Sequence, residues 1–284
     1  MDFSAHSRTA LRYARAIAKG SGGQLTVIYA ADPWLENAAA AVYGGRTALA
    51  ERTRTELLRF TARALGRDAG VETRLVSGDP VRTILATKTD LVVLGTHGLG
   101  GMSKVFFGST TARVLERTRV PVLAVPSTHG RRLGPPRGWP AGRIVAPLAL
   151  DRTSRGSAAR AAAVARAFGT ALTLVHAVPP LQVPPFMGAG ILERNRAALA
   201  QARDKLAHLA RQPRLFRGVS VRALVASGDP AEVIAAIASR PGHSLVVLTL
   251  DRRGGFLHSR PGTISYRVLQ RGETPVLALP PGHR

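Results

Sequence analysis

The stretch GTHGLGGMSKVFFGST, residues 95–110, separates an apolar run from a helical pattern. The preceding residues 90–94 read Asp-Leu-Val-Val-Leu and predict a buried parallel strand. The following residues 109–117 place Val114 and Leu115 among polar side chains and predict a helix. Glycine lets backbone N–H groups approach an anion closely, and a helix N-terminus adds unpaired donors. The stretch therefore predicts a phosphate-binding loop between a strand and a helix.

The spacing of the loop excludes two common phosphate motifs. No G-x-x-x-x-G-K-[ST] run is present, and the G-x-G-x-x-G pattern fails after Gly98 and Gly100. The pattern that fits is G-x-x-G, nine residues, then G-[ST], formed by Gly95, Gly98, Gly108 and Ser109. With a strand before it and a helix after it, this pattern resembles the ATP-binding signature of the universal stress protein family.

The resemblance implies two contacts outside the loop. It assigns Asp2 a contact to the adenine or ribose of ATP, and it places Ala30 near the base through its backbone. From the residues alone, Asp2 is equally well explained as a carboxylate at a helix N-terminus, with Ser4 as a nearby cap.

Polar side chains of the loop have two interpretations each. His97 and Lys104 either meet phosphate oxygens or lie in solvent. Ser109 and Thr110 either donate hydroxyls to phosphate and bind a bridging Mg²⁺, or one of them caps the helix. ATP with Mg²⁺ is the expected ligand, and the metal ligands are left unassigned. The predicted nucleotide-binding residues are Asp2, Ala30, Gly95, His97, Gly98, Gly100, Lys104, Gly108, Ser109 and Thr110.

Composition narrows the class of protein. The chain has 284 residues, 45% of them hydrophobic, and no cysteine, which excludes disulfides and thiolate metal sites. No apolar run reaches the roughly 20 residues that span a bilayer, and the N-terminus is not a signal peptide, so a cytoplasmic protein is expected. The formal charge is +23, but the arginines are spread along the chain. No zinc finger, RNA-binding aromatic motif or basic heptad appears, which disfavours nucleic acid as the main partner.

The two halves of the chain repeat the same motifs. VSGDP at 76–80 recurs as ASGDP at 226–230, and PVLAVP at 121–126 recurs as PVLALP at 275–280. The sequence therefore predicts two tandem copies, 1–127 and 143–284, joined by a linker at 128–142 that is rich in Gly, Pro and Arg.

Each copy alternates strands and helices, which predicts an α/β fold with a parallel sheet and helices on both faces. The resemblance implies two adenine-nucleotide-hydrolase-like (Rossmann-like) domains of five strands each, with the ligand beyond the strand C-termini. In the first copy the expected elements are a helix at 4–19, a strand at 25–31, a loop that leads into a helix at 46–65, strands at 71–76 and 90–94, a helix at 109–117 and a strand at 120–125. After the strand at 71–76, the pair Asp79-Pro80 of the SGDP motif is expected to begin a helix, with Asp79 as the N-cap and Pro80 in the first turn.

The first copy begins past the strand that opens the second copy at 143–148. By resemblance this strand is central and ends in an Asp where Asp2 stands. We expect either that the natural protein starts upstream of Met1, with a further strand of about five to eight residues, or that this domain folds with a gap.

The second copy has lost the motif. An arginine where the backbone must approach phosphate would fill the loop, so its expected role is structural, as a pseudo-symmetric partner of the first copy. The correspondences are Gly95 to Thr249, Gly98 to Arg252 and Asp2 to Ala149.

These patterns favour an ATP-binding regulator of the stress response without dedicated catalysis, because no Ser–His–Asp grouping or carboxylate pair lies beside the loop. A weak Mg²⁺-dependent ATPase or phosphotransferase is the alternative, and a non-nucleotide structural or nucleic-acid-binding protein is the third. Expected partners are ATP and an unidentified protein, with a homodimer as a further option and no membrane contact.

Overall fold

The computed structural model describes residues 1–66, 70–96, 108–126, 135, 138–140, 142–181, 184, 188–250 and 264–280. They fall into two compact units, Met1–Trp139 and Pro140–Arg284. The strand pairs within each unit are parallel, which confirms the predicted α/β class.

The first unit contains one helix that the sequence analysis missed. Residues 32–45 were expected to form a loop, but Asp32 caps a helix by accepting a hydrogen bond from the Trp34 N–H, and Pro33 occupies its first turn. The elements are α1 (Ala5–Ser21), β1 (Leu25–Ala31), α2 (Pro33–Val42), α3 (Arg46–Leu65), β2 (Val71–Ser77), α4 (Pro80–Ala86), β3 (Val92–Gly95), α5 (Ser109–Arg117) and β4 (Val122–Val125).

The four strands described in the first unit form two separate parallel pairs, β1 with β2 and β3 with β4. Among the strands described, β1 and β3 are not hydrogen-bonded to each other, so the expected gap is present. Helix α1 packs against β1, β3 and β4. A cluster of Leu11, Val27, Leu57 and Phe60 forms a core between α1, β1 and α3.

The second unit has the complete five-stranded sheet. Its order is β9-β8-β5-β6-β7, with β5 at the centre. Ile144, Leu172 and Leu245 on three adjacent strands are at most 1% exposed, as expected for a parallel sheet covered on both faces. The elements are β5 (Arg143–Pro147), α6 (Ser154–Ala167), β6 (Ala171–Val178), α7 (Gly188–Ala210), α8 (Pro213–Phe216), β7 (Val221–Ser227), α9 (Pro230–Ala238), β8 (His243–Thr249), α10 (Ile264–Arg271) and β9 (Val276–Leu279).

A strained turn before the first helix is common to both units. Phe3 has a φ of 59° and Leu150 a φ of 60°, a backbone region that bulky residues rarely adopt. The two residues are equivalent, because the Met1 amino group donates to the Ile28 carbonyl at 2.8 Å and the Leu148 N–H donates to the Val175 carbonyl at 2.8 Å. Met1 thus takes the place that the residue after β5 has in the second unit.

Part of the predicted linker belongs to the first unit. Trp139 is 7% exposed, and its ring meets that of Tyr13 on α1 edge-on, with the centroids 4.7 Å apart. The indole therefore anchors the end of the first unit to α1, while most of the predicted linker lies outside the described residues.

Gly142 allows the close approach that starts the sheet of the second unit. Its φ is 96°, and a Cβ there would lie 2.2 Å from the Gly242 carbonyl oxygen. Gly169 also has a left-handed φ, 61°, but open space around it. We predict that Gly142→Ala lowers the free energy of unfolding of this unit by about 3 kcal/mol, because overlap adds to the backbone penalty, and that Gly169→Ala lowers it by about 1 kcal/mol. Denaturant titration of both variants tests this difference, and equal losses would contradict it.

Candidate functional site

The structure describes six of the ten predicted site residues. They are Asp2, Ala30, Gly95, Gly108, Ser109 and Thr110. The other four, His97, Gly98, Gly100 and Lys104, lie outside the described residues, as does Arg252 of the second unit.

The base of the glycine loop is held by backbone hydrogen bonds at the carboxyl end of β3. The Thr96 N–H donates to the Val125 carbonyl at 2.9 Å, and the Gly108 N–H donates to the Thr96 carbonyl at 2.7 Å. Thr96 is only 1% exposed. Thr96 and Gly108 are therefore direct neighbours, with β3 before Thr96 and α5 after Gly108.

Helix α5 begins without a side-chain cap. Gly108 is its N-cap residue, and Ser109 is its first helical residue. The alternative in which Ser109 or Thr110 caps the helix is thus wrong. By contrast, α4 is capped by Asp79, whose carboxylate accepts the Arg82 N–H at 2.8 Å. The first turn of α5 therefore presents backbone donors and two hydroxyl groups where the glycine loop returns.

Gly95 lies beneath the first turn of α1. A Cβ at Gly95 would lie 3.3 Å from the backbone of His6, which is tighter than ordinary van der Waals contact. The Thr111 side chain donates to the Gly95 carbonyl at 2.9 Å and so fixes the end of β3 to α5. The glycine thus has a packing role that the sequence motif did not reveal.

Residues 1–6 bring the carboxyl ends of β1 and β3 together. The Met1 amino group binds the Ile28 carbonyl of β1, two residues before Ala30, and His6 packs on Gly95 of β3. Asp2 lies between these two contacts in the chain. The described site residues are therefore gathered at one edge of the first unit.

The Asp2 carboxylate stabilises the turn that leads into α1. Its Oδ1 accepts the Ser4 N–H at 3.1 Å and the Ser7 hydroxyl at 2.6 Å, while Ser4 caps the helix through the Ser7 N–H. Burial raises the pKa of Asp2, but the hydrogen bonds from Ser4 and Ser7 outweigh it and hold the pKa below its ordinary value. Asp2 thus acts as a carboxylate at a helix N-terminus, which was one of its two predicted roles. A contact of Asp2 to a nucleotide remains a prediction.

The second unit builds the same turn with a different carboxylate. Ala149 stands where Asp2 is, and Asp151, two residues later, accepts the Thr153 N–H at 2.9 Å and the Thr153 hydroxyl at 2.6 Å. The turn is thus preserved, but no carboxylate occupies the position of Asp2.

Sequence analysis identified the repeated SGDP motif as a helix cap but missed its ion pair. Asp79 of α4 lies 3.6 Å from Arg113 of α5, and Asp229 of α9 lies 2.7 Å from Arg267 of α10. The hydrogen bond from the Arg82 N–H, followed by the charge of Arg113, holds the pKa of Asp79 below its ordinary value. The repetition of Asp and Arg in both halves was the available signal.

Neither a metal-ligand cluster nor a membrane-spanning helix is present in the described ranges. They contain no group of three His, Cys, Asp or Glu side chains placed to hold a metal ion. No helix within them is both long and apolar enough to cross a membrane.

The hydrogen bonds of Asp2 predict a pH-dependent contribution to stability. Because its pKa is lower in the folded state than the unfolded value of 3.8, the contribution is present above that pH and is lost as pH falls through the folded pKa. We expect Asp2→Asn to lower the melting temperature at pH 7 and the difference to shrink as pH falls below 3.8. Asp204→Asn, on the exposed face of α7, is the control. Parallel melting curves for wild type and Asp2→Asn at all pH values would contradict this role.

Comparisons with known proteins give a consistent result. The model of the universal stress protein family matches residues 1–126 and 141–280. A universal stress protein of Mycolicibacterium smegmatis is 26% identical over 298 aligned positions, covering 99% of this chain and 95% of that protein. A universal stress protein of Thermus aquaticus is 33% identical over 129 residues, covering 44% of this chain and 93% of that protein. The crystal structure of a universal stress protein from Archaeoglobus fulgidus superposes with a TM-score of 0.62 at 17% identity, covering 99% of this chain and 94% of that one.

Proposed function

Because the chain belongs to the universal stress protein family, we propose that its first unit binds ATP at the carboxyl ends of β1 and β3 and serves as a nucleotide-dependent regulator in the stress response. The observation that carries the proposal is the N-terminus of α5, which has no side-chain cap where the glycine loop returns. Free backbone donors and the positive end of the helix dipole suit phosphate oxygens.

Different described residues would contact different parts of the nucleotide. The first turn of α5, with Ser109 and Thr110, would hold the phosphates, and these hydroxyls would be available to Mg²⁺, which would neutralise phosphate charge. Residues 1–6 and the end of β1, with Asp2 and Ala30, would contact the ribose and base. Lys104 would add a cation from the loop, in a segment outside the described residues.

Regulation follows if the two states of the site differ in their affinity for a partner. ATP then favours the state in which the loop and α5 present a surface that a partner protein recognises. The free-energy difference between the two states changes by the difference in their free energies of ATP binding. No described side chain at this site is placed as a general base, and binding alone suffices for such a switch. A protein partner and a cytoplasmic location remain predictions.

Gly98→Arg copies into the first unit the arginine found at the equivalent position of the second. We predict that it weakens ATP binding at least about 100-fold, which corresponds to about 2.7 kcal/mol, because the side chain fills the space of the phosphates. Gly20→Arg is the matched control, because it adds the same side chain to the same unit where a Cβ meets open space. Isothermal titration calorimetry measures both.

Equal affinities in Gly98→Arg and Gly20→Arg would overturn the assignment of this loop. Phosphate release from ATP, followed with the same variants, tests the weak ATPase. We expect release by wild type to be no faster than by Gly98→Arg.

The reverse substitutions test whether the second unit can be repaired. We predict that Thr249→Gly combined with Arg252→Gly does not create a second ATP site, because Ala149 still provides no carboxylate at the position of Asp2. The readout is the stoichiometry of ATP binding by calorimetry, with wild type as the reference. Two nucleotides per chain in the double variant would contradict the role given to Asp2.

A further inference from the structure

Cationic side chains gather at the amino-terminal edge of the sheet in the second unit, the edge opposite to the strand C-termini. Arg143 is the first residue of β5, and His243, the first residue of β8, is its partner in register. On its other side Arg143 pairs with Ala171 of β6, two residues before Thr173. Thr173 in turn pairs with Arg222 of β7. Since side chains alternate between faces along a strand, these four residues share one face. We call them, with Arg240 at the end of α9, the cationic corner.

One buried nitrogen atom of the cationic corner has no hydrogen-bond partner in the described part of the chain. The Thr173 hydroxyl lies 3.4 Å from His243 Nε2, and Thr173 is fully buried. Arg143 Nη1 is buried as well, but no acceptor lies within hydrogen-bond distance of it among the described residues. Buried polar atoms are nearly always paired, so this guanidinium nitrogen, in a group of cationic side chains, indicates a missing ligand.

The described charged groups that act on His243 are cationic. Burial lowers the pKa of His243 most, and the positive charges of Arg143, Arg240 and Arg222 lower it further, against a hydrogen bond to the Arg240 backbone that raises it. The residues paired in register at this corner, Arg143 with His243 and Thr173 with Arg222, include no carboxylate. A ligand with negative charge therefore complements the corner.

The first unit shows that the fold does not require this charge. Its strand register makes Glu72 the equivalent of Arg222 and Thr26 the equivalent of Thr173. There the Thr26 hydroxyl donates to Glu72 at 3.0 Å, and Glu72 is also paired with Arg74 at 2.7 Å. In the first unit this corner therefore contains a carboxylate whose hydrogen-bond partners lie within the unit. In the second unit it is cationic, and Arg143 Nη1 has no partner among the described residues.

The backbone holds Arg143 and His243 rigidly side by side. The Arg143 N–H donates to the Gly242 carbonyl at 2.7 Å, and Gly142 approaches Gly242 too closely for any side chain at position 142. The two residues that follow these glycines are Arg143 and His243. Their spacing is therefore set by the start of the sheet, as a preorganised binding site requires.

We propose that the cationic corner binds a tetrahedral oxyanion of the phosphate class. Arg143 Nη1 donates to its oxygen atoms, and His243, whose imidazole is fixed by the Thr173 hydroxyl through Nε2, lies beside the bound anion. Arg222 and Arg240 are exposed and form the rim through which the anion enters. A guanidinium matches the geometry of phosphate oxygens, and its charge strengthens each hydrogen bond. The site is independent of the proposed ATP site and lies in the other unit.

The test is histidine NMR of the full chain during titration with inorganic phosphate, with chloride at equal ionic strength as the reference. The His243 signal is assigned by its loss in His243→Asn. We expect a saturable shift of this signal, and we expect Arg143→Gln to raise the dissociation constant at least about tenfold through loss of a charge-assisted hydrogen bond. Arg211→Gln, at an exposed arginine after α7, is the control and should leave the constant unchanged.

Absence of a saturable shift, or equal effects of Arg143→Gln and Arg211→Gln, would overturn the proposal. If Arg143→Gln does not fold, Arg222→Gln on the exposed rim replaces it, with an expected weakening of about threefold from the lost charge. A parallel titration with glycerol 3-phosphate separates free phosphate from a phosphate ester, and either ligand that shifts His243 supports the site. Since the signal comes from His243, phosphate bound at the glycine loop of the first unit does not produce this result.

Discussion

The hydrogen bond from the Gly108 amide to the Thr96 carbonyl fixes where the glycine loop begins and ends. At 2.7 Å, next to the bond between Thr96 and Val125, it joins the end of β3 to the start of α5. Thr111 adds a second link through the Gly95 carbonyl. The position of the α5 N-terminus, and with it the direction of its backbone donors, follows from these three contacts. A site preorganised by backbone bonds needs little reorganisation when an anion binds.

The two units share one framework but differ in the elements proposed to hold a nucleotide. Both keep the strained turn at Phe3 and Leu150, and both join Asp to Arg between the two helices that follow the SGDP motif. The first unit keeps Gly95 under α1 but has two separate strand pairs. The second has the complete sheet, with Thr249 in place of that glycine. The second unit therefore retains the stable framework without the elements proposed to hold a nucleotide.

Elements with strong local signals were predicted well from the sequence. The strand at 25–31 and the helices at 46–65 and 109–117 have the predicted bounds, because their apolar patterns end at clear turn residues. Helix α2 was missed although Asp32-Pro33 is a start signal, because its alanine-rich sequence has no apolar face at a helical period.

Contacts between distant elements explain the remaining differences. The approach of His6 to Gly95 depends on how α1 crosses β3, which no local pattern records. The meeting of Arg143 with His243 depends on the order and register of strands that are 100 residues apart in the chain. The glycine motif is visible in the sequence because its residues are neighbours in the chain, and its binding of phosphate stays a prediction.

The number of adenine nucleotides bound per chain tests most directly whether the first unit alone is a nucleotide site. The protein is saturated with ATP, freed of unbound ligand by gel filtration and denatured, and the supernatant is quantified by chromatography against protein concentration. We predict about one nucleotide per chain, as one intact glycine motif implies. No nucleotide, or two per chain, would contradict this division between the units.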